Sequence, residues 1–170
     1  LTVKGGLGKI FEYFGPGVEN LSATDRATIG NMGAELGATS SMFPSDARTR
    51  EFLESQGRGE VWTEIVADTD ARYSEIIDLD LSALDPLIAC PSSPGNVKKV
   101  SEVEGIDVSQ VIVGSSANSS FRNFMVVAKA VEGRHCHPDV SFEINPGSSQ
   151  VLLNVAEAGG VQDLILSGAR

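Results

Sequence analysis

Short apolar runs alternate with helix-periodic segments along this chain, and Gly- and Pro-bearing breaks separate them. A strand, a helix and a second strand in that order place the two strands side by side in parallel. The pattern therefore predicts an α/β fold, a layered α/β/α arrangement with largely parallel strands in two small units. Residues 10–14 read as a first strand, ended by Gly15-Pro16-Gly17. Ser22 or Thr24 is placed to cap a helix running to about Leu36, with Asp25 near its positive end and Gly37 to stop it. Thr39 to Phe43 is a short strand, and Asp46 caps a second helix that runs through Leu53 to Gln56. Tyr73 to Leu81 alternates apolar and acidic residues, the signature of an edge or one-sided strand.

The richest run of turn residues is Pro91-Ser92-Ser93-Pro94-Gly95-Asn96. It makes residues 85–101 the predicted linker between a first domain, 1–84, and a second, 102–170. In the second, residues 110–113 read as a buried strand and 119–131 as a helix with Phe121, Phe124, Met125 and Ala128 at helical spacing. Val140 to Ile144 is a strand. Helices follow over 149–158 and 161–167, broken by Gly159-Gly160.

Hydrophobic residues make up 41% of the 170, enough to bury a core, and the net charge is −10. Such a surface repels phosphate backbones, which argues against nucleic acid as the partner. Cys90 and Cys136 allow at most one disulfide, too few for a secreted framework, and a reducing cytoplasmic setting is expected. No apolar run is long enough to span a membrane. The opening Leu1-Thr2-Val3-Lys4 reads as the interior of a folded protein, so a fragment is expected.

Several motifs stand in a definite order: Val3-Lys4-Gly5-Gly6, then residues 12–18 (EYFGPGV), residues 27–39 (ATIGNMGAELGAT) and Phe43-Pro44-Ser45-Asp46. Residues 113–120 (VGSSANSS) and Asn145-Pro146-Gly147-Ser148 follow. Any one of them is weak; the ordered set resembles the aconitase family, of the aconitase and isopropylmalate dehydratase large-subunit type, over nearly the whole chain. The loop at 114–119 resembles that family's cluster-binding G-S-C-T-N-S, with Ser116 at the position of the cysteine. The resemblance implies the second and most of the third domain of a four-domain hydro-lyase. Such an enzyme isomerises a tricarboxylate or related hydroxy-acid by dehydration and rehydration at a 4Fe-4S cluster. It also implies that catalytic histidines, a C-x-x-C pair, substrate-binding arginines and a catalytic serine lie in other domains. The 170 residues alone are then expected to be inactive and to bind no cluster. Their partners are the remaining domains and, in the whole protein, a small carboxylate substrate.

Asn31 and Glu35 stand four residues apart and share one helix face. Spacing alone reads as a solvated face; the resemblance implies that both look toward the cluster and substrate and help to position the reacting oxygen. Ser116 offers a hard hydroxyl where a cluster needs a soft thiolate. A natural cluster-free homologue, an engineered Cys→Ser change, or a ligand supplied from elsewhere would each account for it. A cluster-free binding or regulatory module is the alternative function. Read only as a strand–loop–helix turn, the loop has Ser116, Ser119 or Ser120 as the helix cap. Asn118 orients the loop or touches the substrate region under the resemblance, and stabilises the turn otherwise. His135-Cys136-His137 resembles a metal site by composition only, because neighbouring side chains in an extended chain diverge. No metal ligand is assigned there, and Cys90 reads as an unreactive thiol. Neither Gly5-Gly6-Leu7-Gly8 nor Gly114-Ser115-Ser116 fits a nucleotide-binding loop.

Overall fold

The computed structural model describes Leu1 and residues 3–170. The chain divides into two compact units, Leu1–Glu104 and Gly105–Arg170. Each contains a parallel strand pair, and the fold is mixed α/β.

In the first unit β1 (Ile10–Glu12) pairs in parallel with β2 (Ser40–Met42), in the register Ile10 to Ser40 and Glu12 to Met42. The connection between them carries α1 (Ala23–Met32). Ser22 starts that helix with a reciprocal box: its Oγ accepts from the Asp25 amide at 3.2 Å, and its own amide donates to the Asp25 carboxylate at 3.0 Å. The α-helix gives way at Gly33 to a 3-10 turn, Gly33–Leu36. After β2, Asp46 caps α2 (Ala47–Ser55), accepting from the amides of Arg48 and Thr49 at 3.0 and 3.3 Å.

Tyr73 to Leu81 forms no strand, contrary to expectation. Alternation builds a two-faced segment, but a strand also needs a neighbouring backbone to pair with. Here side chains do the attaching: Tyr73 stacks on Phe14 with ring centres 5.2 Å apart, and Glu75 pairs with Lys9 at 2.6 Å. The segment read as a linker carries an ordered hairpin. β3 (Leu87–Ala89) runs antiparallel to β4 (Val97–Lys99), and the Asn96 side chain donates to the Pro91 carbonyl at 2.7 Å.

In the second unit β5 (Gln110–Gly114) pairs in parallel with β6 (Ser141–Asn145) from Gln110–Ser141 to Gly114–Asn145. The other edge of β6 holds the chain's last residues: the Arg170 amide donates to the Phe142 carbonyl, and the Ile144 amide to the Arg170 carbonyl, each at 2.9 Å. α3 (Phe121–Val131) joins the strands, and α4 (Ser149–Glu157) and α5 (Gly160–Leu166) follow. Phe124, Ala128, Phe142, Val155, Leu164 and Ala169 form the core. Full burial of a Phe or Leu contributes about 1.5–3 kcal/mol. The apolar run of β5 predicts a buried strand, yet Gln110, Val111 and Ile112 are exposed. One neighbouring strand and the helices of the unit cover only part of it.

The two units are held differently. Among the described residues, Val18 is the one buried large apolar side chain of the first unit, and a buried arginine takes the place of a larger core.

Candidate functional site

Ligands of open parallel sheets bind where strands end and loops begin. In the first unit β1 leads into Tyr13 to Val18 and β2 into Phe43 to Asp46. Tyr13 and Phe43 stack almost flat, 4.4 Å apart and 4° from parallel. Arg26 of α1 is 4% exposed and reaches both loops. One guanidinium nitrogen, Nη1, donates to the Pro44 carbonyl at 3.0 Å and to Asp46 at 2.8 Å. The other, Nη2, donates to the Val18 carbonyl at 3.0 Å and to Asp46 at 2.7 Å. These bonds, helped by the Thr49 and Arg48 amides, hold the Asp46 carboxyl below its ordinary range against a weaker effect of burial.

Asn31 lies exposed near the end of α1, and Glu35 lies exposed on the 3-10 turn. A 3-10 turn advances by a wider angle per residue than an α-helix, so the two do not stack as an i,i+4 pair on one α-helical face. Glu35 borders a shallow apolar groove of about 290 Å³, whose lining includes Tyr13, Thr28, Ile29, Met32 and Leu36.

The second unit presents the loop 115–120 at the end of β5. Gly114 has φ 113°, and a Cβ there would run into the backbone of Asn145 on β6. Ser115 Oγ accepts from the amides of Ala117 and Asn118 at 3.1 and 3.0 Å, which folds the loop on itself. Ser119, 4% exposed, donates from its hydroxyl to the Ser115 carbonyl. Of the three serines placed to cap α3, Ser120 is the cap. Its Oγ accepts from the Asn123 amide at 3.3 Å, and its own amide donates to the Asn123 side chain at 3.0 Å. At the end of β6, Gly147 packs on Ser119, and Ser148 caps α4 by accepting from the Val151 amide at 3.2 Å.

Ser116 and Asn118 differ from these residues. Their side chains are exposed, and neither makes a side-chain hydrogen bond among the described residues. Gly114, Ser115, Ser119 and Ser120 each serve the fold; the hydroxyl of Ser116 does not.

No group of three or more His, Cys, Asp or Glu among the described residues is arranged to hold a metal ion. In the His135-Cys136-His137 triplet, Cys136 is half-buried with its thiol 3.8 Å from the Val140 carbonyl, while His137 Nδ1 accepts from the Asp139 amide at 3.3 Å. Cys90 is likewise a free, half-buried thiol. The donor set present does not fit an iron–sulfur cluster: a hydroxyl stands on the loop, and both thiols lie elsewhere. No helix among the described residues is long and apolar enough to cross a membrane.

The sequence does not distinguish Arg26. A lone arginine within Ser-Ala-Thr-Asp-Arg-Ala-Thr was the one available signal, and a solvated helix face carries the same signal.

Comparison with known proteins gives a consistent result. The profile of the Aconitase family (aconitate hydratase) matches residues 1–170. The chain is 39% identical over 163 residues to the 3-isopropylmalate dehydratase large subunit 1 of Thermotoga maritima, covering 95% of this chain and 39% of that protein. It is 36% identical to the 3-isopropylmalate dehydratase large subunit 2 of Archaeoglobus fulgidus, covering 99% of this chain and 40% of that one. To the mitochondrial aconitate hydratase of Saccharomyces cerevisiae it is 38% identical, over 95% of this chain and 23% of that protein. The chain thus spans about two fifths, or less, of the length of these curated relatives.

Proposed function

The chain belongs to the aconitase family, and from that premise we propose that it forms part of a hydro-lyase acting on a small hydroxy-carboxylate. Relatives named as dehydratases and hydratases support the reaction class. In such an elimination a proton leaves the carbon beside a carboxylate, and the hydroxyl leaves the next carbon as water. Rehydration reverses both steps. Glu35 and Asn31 are assigned to hold the departing or entering oxygen, since a carboxylate accepts and a carboxamide both donates and accepts hydrogen bonds. Asn118 is assigned to the substrate side of the loop.

One observation carries this reading: the loop spends Gly114, Ser115, Ser119 and Ser120 on its own shape and leaves Ser116 and Asn118 exposed without a structural duty. The residues that shape the loop are thereby distinct from those that present side chains. The 4Fe-4S cluster of the family is assigned to the whole protein and not to these residues alone. The remaining groups are assigned to parts of the protein outside these residues, so the 170-residue chain alone is assigned no turnover.

A second reading rests on Ser116 itself. A hydroxyl in place of a thiolate favours a cluster-free relative that keeps the fold to bind a carboxylate or a partner. Iron content and water elimination by the full-length protein separate the two. Elimination that survives both Glu35→Gln and Asn31→Ala would sink the assignment of this edge.

A further inference from the structure

We propose that Arg26 is a positioning residue for the Asn31–Glu35 edge, acting through the orientation of α1; this rests on the reading above, in which that edge serves the reaction. A helix in a globular unit is ordinarily held in rotation by an apolar stripe. α1 has none: Arg26 is its one buried residue, Ile29 is half-buried, and Ala27 and Met32 are exposed. Besides the close approach of Gly30 and Gly33 to Ser41 of β2, what fixes the helix is a planar fork with four acceptors. Two are the oxygens of one carboxylate, Asp46; the others are the Val18 and Pro44 carbonyls, in the loops that follow β1 and β2. Asp46 is itself fixed, because it caps α2. The helix is therefore pinned at one point to both loops and to the next helix. Asn31 lies five residues further along the same rigid element, and Glu35 on the turn that continues it.

A second observation shows that the shape of the fork matters as well as its charge. Arg26 Nε is buried with no hydrogen-bond partner. A buried orphan donor is unfavourable and calls for a reason. A lysine would satisfy Asp46 without creating it, but an ammonium is a point charge and does not hold one plane against four acceptors.

The test compares Arg26→Lys and Asp46→Asn with Glu35→Gln in the full-length protein. Asn also caps helices well, so Asp46→Asn leaves α2 started while removing the charge. Small misplacements remote from the chemistry reduce rates by up to about 100-fold. The expected result is a kcat lower by about 10-fold or more in Arg26→Lys and in Asp46→Asn, with KM changed by less than about 3-fold. In the full-length protein, amide exchange over Asn31–Glu35 should quicken by about 10-fold in Arg26→Lys, with the α3 amides unchanged. Unchanged kcat and exchange in Arg26→Lys, alongside a kcat abolished by Glu35→Gln, would overturn the positioning role alone. An unchanged kcat in Glu35→Gln would overturn both that role and the reading beneath it.

Discussion

Ser119 occupies the space that a Cβ on Gly147 would need. The contact joins the loop after β5 to the loop after β6, and it does so with a side chain that is 4% exposed and already bonded to the Ser115 carbonyl. Two sequence motifs separated by a whole helix thus meet at the same end of a parallel strand pair. Gly147→Ala is expected to lower the melting midpoint of the second unit, with overpacking destabilising by about 1–3 kcal/mol. Ser119→Gly should relieve part of that loss, as a double-mutant thermal melt would show.

The capping serine and the exposed serine give opposite expectations. Ser120→Ala removes the start of α3 and should destabilise the second unit by about 1 kcal/mol. Ser116→Ala, on an exposed side chain without a hydrogen bond, should change stability by less than about 0.5 kcal/mol. Urea unfolding of the two variants checks both. Equal losses would mean that Ser116 has a structural role.

Acid should weaken the first unit through Asp46. Its carboxyl is held below the ordinary range when folded, chiefly by Arg26. As pH falls, the unfolded chain takes up that proton first. The stabilisation is therefore complete above the ordinary carboxylate value and is lost as pH falls through the lower folded value. Asp46→Asn should remove this part of the acid sensitivity while destabilising the unit at neutral pH. An unfolding profile from neutral to strongly acidic pH that keeps its full acid slope in the variant would count against the Arg26–Asp46 pair as the cause.

The 170-residue chain should stay colourless after anaerobic incubation with iron and sulfide, and so should Ser116→Cys. One added thiol gives this loop a single thiolate, Cys136 stands on another loop, and no group of three or more His, Cys, Asp or Glu among the described residues is arranged to hold a metal ion. Visible charge-transfer absorption in the unaltered chain, lost in Cys136→Ala, would show that the triplet binds iron after all.

Much of this was legible in the sequence because its causes are local. Ser22, Asp46 and Ser120 cap amides two or three residues away, and the caps fix where α1, α2 and α3 begin. The parallel pairs follow from the strand–helix–strand order. What was not legible depends on distant partners. Tyr73 to Leu81 has the alternation of a strand but no backbone beside it. Arg26 finds its acceptors 8, 18 and 20 residues away, so nothing near it in sequence distinguishes a buried fork from a solvated one. The shift from α to 3-10 geometry at Gly33 likewise alters the relation of Asn31 to Glu35 without changing their spacing.

The most direct measurement is water elimination by the full-length protein that carries these residues, followed anaerobically with iron supplied and with citrate or 3-isopropylmalate as substrate. The hydro-lyase reading predicts that the unsaturated acid forms, and that Glu35→Gln slows its formation by about 100-fold or more. Iron-supplied protein that binds either acid yet eliminates no water would contradict it and leave a binding module in its place.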